Sequence, residues 1–253
     1  MGLTQRRRRS IGLVLYPLRA MPEAQQVRSM FARIAGSYDF LNHTLSVGID
    51  RRWRKRAVEL AGDGATGVVV DACCGTGDLG IEFAGRGATV VGVDFTPEML
   101  LHALPKRDGV KTPTVFAHGD ALRLPVASGR ADVSCVAFGI RNVADRTQGL
   151  RELTRVVRPG GRVLVLEFSQ PPGALFGPLY RFYFTRVLPN IGRVFSRDED
   201  AYSYLARTVM AWPSPAMLQA EMEAVGLEDC GYELLTRGIA CLHWGRVPQG
   251  EGR

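Results

Sequence analysis

Three aspartates of this chain stand where apolar runs end, as strands of a parallel sheet would end. Asp71 closes the run Val68–Val70, Asp94 closes a second run, and Asp120 follows a third. The carboxyl ends of neighbouring parallel strands meet at one edge of a sheet, where α/β proteins bind their ligands. Each aspartate alone could be a helix N-cap or a turn residue. Three of them at successive strand ends favour one acidic binding crevice.

A glycine-rich turn follows the first aspartate. Gly75 and Gly77 flank Thr76 and open a predicted helix at Asp78. Glycines let the backbone approach a ligand closely, and a helix start presents free N–H groups. The spacing of Gly75, Gly77 and Gly80 also fits the dinucleotide fingerprint, so an NAD-linked oxidoreductase is one interpretation.

The charge of the crevice favours a different ligand. A carboxylate directly before the glycines would repel a diphosphate, but it suits the ammonium group of an amino acid. Asp94 can accept hydrogen bonds from ribose hydroxyls, and Asp120 can accept one from an adenine amino group. A sulfonium cation tolerates such an acidic rim, so the predicted cofactor is S-adenosylmethionine.

The elements that would position these residues alternate between strand and helix. We predict strands at 68–71, 89–94, 114–117, 131–138 and 162–168, with a terminal hairpin over 227–246. Helical spacing predicts helices at 25–34, 53–60, 78–84, 146–157, 201–210 and 216–225, and Thr96 is a predicted N-cap. Near-continuous apolar strands separated by helices indicate an α/β fold with a parallel sheet. Helices precede this sheet, and a helical insert at about 172–212 resembles a lid.

Composition narrows the class of protein. The 253 residues carry a net charge of +7, but residues 1–20 hold five arginines and no acid, which leaves 27 basic against 25 acidic residues in the body. A nearly neutral body does not favour nucleic-acid binding.

The basic tail 1–21 is interpreted as disordered or as an upstream extension, with a signal peptide or a membrane-surface anchor as alternatives. Five irregularly spaced cysteines are typical of a reduced cytosolic protein and give no metal-binding spacing, so no metal is predicted.

The segment Tyr38–Trp53 resembles the signature Y-D-x-M-N-x-x-x-S-x-G-x-H-x-x-W of the menaquinone and ubiquinone biosynthesis C-methyltransferases. The blocks Arg155–Arg162, Leu166–Pro171 and Phe138–Val143 resemble further parts of that family, and the likeness extends over about residues 24–246. It implies a class I, seven-strand, Rossmann-like fold as one domain over 22–247, with 248–253 as a flexible tail.

The resemblance also implies an activity and a set of site residues. The implied reaction is methyl transfer from S-adenosylmethionine to a ring carbon of a prenylated quinol, with demethylmenaquinol favoured over a benzoquinol. The family's cofactor positions correspond to Thr76, Asp94, Asp120 and Ala121. Arg141 is the leading catalytic candidate, expected to stabilise a developing phenolate and to orient a water, because a guanidinium is a poor base.

Some of the other candidate residues keep both a functional and a structural interpretation open. Asn142 could hold the ring oxygens, while Tyr38, Asp39, Asn42 and His43 could cover the cofactor, although His43 could equally be a surface or capping residue. Aromatic residues of the insert could line a groove for the prenyl tail or pack within the lid: Phe176, Tyr180, Phe182, Tyr183 and Phe184.

Departures from the signature put some roles in doubt. Asp50 stands where the family has histidine, Ala137 where it often has serine, and Cys73 where many class I enzymes have glycine. Cys73 is a tolerable replacement there if its φ is negative.

The remaining expectations concern partners and location. The sequence predicts a cytoplasmic enzyme with peripheral contact at the inner face of the membrane and no nucleic-acid partner, and a homodimer is one open assembly. A methyltransferase for another small aromatic or lipid, or a non-catalytic subunit of a quinone-biosynthesis assembly, are the further alternatives.

Overall fold

The protein forms a seven-stranded sheet in the order β3-β2-β1-β4-β5-β7-β6. The structure is a computed structural model that describes residues 22–39, 46, 48–172, 177, 182, 186 and 199–250. The first five strands in this order pair in parallel, whereas β7 pairs antiparallel with both β5 and β6. The predicted parallel sheet with a terminal antiparallel hairpin is confirmed.

The strands are β1 (Val68–Ala72), β2 (Thr89–Asp94), β3 (Thr114–His118), β4 (Ala131–Ala137), β5 (Val157–Phe168), β6 (Glu228–Leu235) and β7 (Ala240–Arg246). The helices are α1 (Pro22–Ile34), α2 (Ile49–Leu60), α3 (Asp78–Gly85), α4 (Pro97–Arg107), α5 (Arg146–Val156), α6 (Glu199–Met210) and α7 (Pro215–Ala224). The residues Ile140–Asn142, just after β4, form one turn of 3-10 helix.

Two apolar layers hold the sheet between helices, as near-continuous apolar strands require. Residues of α2 and α3, among them Trp53 and Phe83, pack on one face with Val69 and Leu164. Residues of α5 and α7 pack on the other face with Val70 and Val165. The inner strands of the sheet are therefore buried on both faces, which leaves the ends of the strands as the place where a ligand can reach them. Within the described residues, no helix is long and apolar enough to cross a membrane.

The passage from α5 to β5 differs from the prediction. The helix was predicted to continue to Val157 and the strand to begin at Arg162, but β5 begins at Val157, which pairs with Ala131 of β4. Gly160, with φ of 76°, donates its N–H to the carbonyl of Val247 at 2.9 Å. These pairings extend the sheet through Pro159-Gly160-Gly161, a segment that local signals alone mark as a break.

The predicted lid lies mostly outside the described residues. Helix α6 is its described part, together with isolated positions such as Phe182, whose side chain is 58% exposed. The proposed division of the chain into a tail, one domain and a second tail stays a prediction.

Candidate active site

The site is a cleft at the carboxyl edge of the sheet, beside β1. The chain runs from β1 outward to β2 and β3, then returns to β4 on the opposite side of β1. Ligands bind open α/β sheets at such a reversal of strand order. The cleft is lined by residues following β1, β2, β3 and β4, and by side chains of α1. Asp71, Asp94 and Asp120 all line it.

Asp94 is fixed by backbone donors at the end of β2. One carboxylate oxygen accepts the N–H of Gly75 at 2.7 Å, and the other accepts the N–H of Thr96 at 2.8 Å. The side chain is nearly buried, and this burial raises the pKa of its carboxyl. Each carboxylate oxygen keeps a further lone pair, so an oriented Asp94 can still accept from a pair of ribose hydroxyls. Asp120 is held in the same manner by the N–H of Leu122 at 2.9 Å.

Asp71 lies deeper and is 1% exposed. Its carboxylate accepts the N–H of Gly80 at 2.9 Å, and burial raises its pKa to about 7 despite that bond and the nearby charge of Arg54. A buried carboxylate without a full counter-charge attracts a cation. This is the property that the sequence-based prediction required at this position.

The glycine-rich turn divides into a part that faces the cleft and a part that does not. Gly75 lines the cleft with φ of 55°, and a Cβ added there would lie 4.0 Å from the ring of Tyr38. Gly77 does not line it. Its φ is 83°, it precedes α3, and an added Cβ would lie 2.7 Å from the ring of Phe116. Gly77 therefore serves the turn and its packing rather than ligand approach.

The condition under which Cys73 would replace glycine without strain is not met. Its φ is 50°, in the left-handed region, where a side chain costs about 1 to 2 kcal/mol. Phe138, at the end of β4, shares this conformation with φ of 56°. The two residues flank the floor of the cleft, and such strain clusters at functional sites.

Residues ahead of β1 are tied to the glycine-rich turn by charge. The hydroxyl of Thr76 donates to Asp39 at 2.5 Å, and Lys106 of α4 contacts both Asp39 at 2.6 Å and Asp78 at 2.5 Å. These contacts place Tyr38, which lines the cleft, over Gly75. His43 and Asn42 lie outside the described residues.

Asp50 has a structural explanation for its departure from the family signature. It is 3% exposed in the first turn of α2, accepts the hydroxyl of Ser46 at 2.7 Å, and forms an ion pair with Arg54. Arg54 also contacts Asp78 at 3.5 Å and lines the cleft, whereas Asp50 does not. Asp50 is thus the counter-charge of a buried arginine at the cleft. Ala137, the other departure, lines the cleft without a hydroxyl.

The turn Ile140–Asn142 carries two of the predicted catalytic residues, and their side chains lie in different surroundings. Asn142 lines the cleft, and its Oδ1 is buried with no hydrogen-bond partner among the described residues. Arg141 does not line that cleft. Its side chain, 6% exposed, turns towards β5, where Nη1 lies 3.0 Å from both carboxylate oxygens of Glu167.

The structure thus brings most of the predicted site residues to one cleft. Those that line it are Tyr38, Asp71, Gly75, Thr76, Asp94, Asp120, Ala121 and Asn142. Sequence reasoning missed Arg28, Arg54 and Glu167. The signal for Glu167 was available, because a carboxylate inside the apolar run Val163–Phe168 requires a buried partner.

The residues fit an adenosyl cofactor with a cationic end, because carboxylates lie at three strand ends and Gly75 lets a ligand approach the backbone closely. The fold and this cleft define a class I S-adenosylmethionine-dependent methyltransferase. The architecture is also that of a methyltransferase of this type from Thermotoga maritima, with a TM-score of 0.61 at 17% identity over 86% of this chain and 98% of that one.

Relatives place the chain more narrowly. It is 48% identical to the demethylmenaquinone methyltransferase of Thermus thermophilus, over 87% of this chain and all of that protein. It is 41% identical to the ubiquinone/menaquinone biosynthesis C-methyltransferase of a Geobacter species, over 88% of this chain and 97% of that protein. The sequence model of the ubiE/COQ5 methyltransferase family matches residues 20–247. The chain belongs to the ubiE/COQ5 methyltransferase family, and the oxidoreductase interpretation of its glycines is thereby set aside.

Proposed function

We propose that this enzyme methylates a ring carbon of demethylmenaquinol to give menaquinol. The main observation behind the proposal is that a cleft suited to the methyl donor adjoins a turn that carries residues suited to the acceptor. The acidic cleft fits a sulfonium donor, and its wall continues into the turn that holds Arg141 and Asn142. The names of relatives at 40–48% identity support the quinol as acceptor.

The cofactor is held by the three aspartates. When bound, S-adenosylmethionine supplies an electrophilic methyl group. Asp71 binds the ammonium of its amino-acid part, Asp94 the ribose hydroxyls, and Asp120 the adenine amino group. Tyr38 and the segment it belongs to cover Gly75 and exclude water from the cleft. Alignment of donor and acceptor with water excluded is the main requirement of such a transfer.

The acceptor carbon becomes nucleophilic when the neighbouring hydroxyl loses or shares its proton. A guanidinium is a poor base, so Arg141 stabilises the developing phenolate rather than taking the proton. Asn142 holds a ring oxygen. A water beside Arg141 takes the proton that the ring releases.

The prenyl tail of the acceptor determines where in the cell the enzyme meets its substrate. A long prenyl chain is dissolved in the lipid bilayer, so the enzyme meets its substrate at the inner face of the cytoplasmic membrane. Peripheral contact with that surface is therefore part of the proposal. The basic tail 1–21 is a candidate for the contact, because basic segments bind anionic lipid surfaces.

Quinone profiling tests the substrate. In a strain lacking this enzyme, mass spectrometry is expected to show loss of menaquinone and accumulation of a species lighter by one methyl group. Complementation with the wild-type chain restores menaquinone, and complementation with Arg141→Ala does not. An unchanged quinone pool in the deletion strain would assign the enzyme to another small aromatic or lipid acceptor. Loss of ubiquinone alone would assign it to a benzoquinol.

A further inference from the structure

Glu167 is a carboxylate near the end of β5, an interior strand of the sheet, and it is 0% exposed. The residues before it, Val163–Leu166, are all buried and apolar. Burial raises the pKa of Glu167, and the charge of Arg141 opposes that rise. A carboxylate is kept in such surroundings only with a close ionic partner.

The partner contact is close and has several parts. Nη1 of Arg141 lies 3.0 Å from each oxygen of Glu167 and also donates to the carbonyl of Phe138 at 2.6 Å. The N–H of Phe168 donates to Glu167 at 2.9 Å, and the guanidinium lies 5.5 Å from the centre of the Phe168 ring. Arg141 is therefore held at one end of its guanidinium by β5 and the end of β4.

One donor atom of the Arg141 guanidinium has no partner among the described residues. Nε of Arg141 is buried and makes no hydrogen bond with the described residues. Oδ1 of the adjacent Asn142 is in the same state. A buried polar atom without a partner is costly, so a missing group completes such a site.

Helix α6, which carries Tyr204, packs against the turn Ile140–Asn142. Burial raises the pKa of the Tyr204 phenol, so this group keeps its proton at neutral pH, and the charges of Arg141 and Glu167 act on it in opposite directions. A donor on Arg141, a donor on Tyr204 and an acceptor on Asn142 suit a ring that bears hydroxyl groups.

We propose that Glu167 is the positioning residue of the reaction, holding Arg141 so that its Nε–H binds the ionising ring oxygen of the acceptor beside Tyr204. The inference rests on the proposed function, since it takes a quinol as the missing group. Glu167 acts through Arg141 and does not touch the substrate.

The test compares Glu167→Gln with Glu167→Asp. Folded sites are counted by calorimetric titration with S-adenosylhomocysteine, so that loss of folded protein is separated from loss of rate. We expect Glu167→Gln to lower kcat per folded site about 100-fold, the scale of losing one oriented donor to an oxyanion. Glu167→Asp keeps the charge and should recover about 10-fold of that loss. The dissociation constant of S-adenosylhomocysteine should stay within about 2-fold, because Asp71, Asp94 and Asp120 are untouched.

Glu152 provides a matched control. It is another buried glutamate, 7% exposed, that forms an ion pair with Arg155 at 2.7 Å and does not line the cleft. Glu152→Gln should lower the melting temperature and leave kcat per folded site unchanged. If Glu167→Gln behaves like Glu152→Gln, Glu167 is a structural residue and the inference fails.

A non-reacting probe separates this inference from the proposed function. The absorbance of 1-naphthol reports its ionisation, and with S-adenosylhomocysteine bound the wild type should lower the pKa of the bound naphthol. Glu167→Gln should abolish that shift. If the shift is present while demethylmenaquinol is not methylated, the proposed acceptor is wrong and the role of Glu167 stands. If the wild type shows no shift, Arg141 does not bind a ring oxygen and the inference is overturned.

Discussion

At the scale of single residues, the site depends on carboxylates kept in surroundings that disfavour their charge. Asp71 is almost fully buried, and its pKa of about 7 shows that it binds a proton more readily than an exposed aspartate does. The fold tolerates this cost because the ionised form is the one that would meet the cationic end of the cofactor. Residues kept for function at the expense of stability are common in active sites.

The substitution Asp71→Asn should change the stability of the free protein and its affinity for S-adenosylhomocysteine in opposite directions. Between pH 4 and pH 7 the folded protein holds a proton on Asp71 that the unfolded chain releases, so the stability contributed by this group falls as pH rises through that range. Asp71→Asn should therefore raise the free energy of unfolding of the free protein at pH 8 by about 4 kcal/mol and leave it nearly unchanged at pH 4.

Binding of S-adenosylhomocysteine should respond in the opposite sense. Wild-type affinity is expected to rise about tenfold from pH 6 to pH 8 as Asp71 ionises, and Asp71→Asn should bind weakly with no such rise. Calorimetry at the two pH values measures both effects, with Asp63→Asn, at an exposed position, as the control. An equal pH slope in wild type and Asp71→Asn would show that Asp71 does not meet the ammonium group.

At the scale of elements, the sequence predicted which segments form strands and helices, since apolar periodicity is set locally. It also predicted that the residues after β1, β2 and β3 would meet. It did not predict where Arg141 points, because that side chain is placed by Glu167 of a strand 26 residues further on. The start of β5 at Val157 was missed for the same reason, since long-range pairing outweighs a local Pro-Gly-Gly break.

Lys106 helps to join the segment ahead of the sheet to the cleft, because it contacts both Asp39 and Asp78. Lys106→Ala leaves these two acids facing each other near Thr76. We expect the dissociation constant of S-adenosylhomocysteine to rise about 3- to 10-fold, within the range of a partly exposed ion pair. Lys111→Ala, at an exposed position between α4 and β3, should leave it unchanged. Equal affinity in the two variants would show that this junction does not cover the cofactor.

At the scale of the whole molecule, the hairpin that completes the sheet carries a buried histidine. His243 is 1% exposed, and its Nε2 lies 2.9 Å from the carbonyl of Pro215, so Nε2–H is the donor. Burial lowers its pKa to about 4. Sequence patterns located the hairpin but could not show that α7 would cover this ring, because burial depends on packing between distant elements.

His243 should make the protein sensitive to acid. The unfolded chain binds a proton at this residue below pH 6.5, while the folded protein does so only near pH 4, so stability falls as pH drops through that range. The loss should reach about 3 kcal/mol near pH 4. His243→Gln retains an amide donor for Pro215 and should flatten this part of the stability curve, measured by urea unfolding at several pH values. His102→Gln, at an exposed position, should keep the wild-type slope; a wild-type slope in His243→Gln would mean that this ring is not the acid-sensitive group.

Methyl transfer by the purified enzyme is the decisive test of the proposed reaction. Enzyme, reduced demethylmenaquinol and S-adenosylmethionine carrying a ¹³C methyl group are combined, and the product is examined by NMR. The expected products are S-adenosylhomocysteine and menaquinol whose labelled methyl is bonded to a ring carbon. A labelled methyl on a ring oxygen, or no transfer by an enzyme that binds S-adenosylhomocysteine, would contradict the proposed reaction.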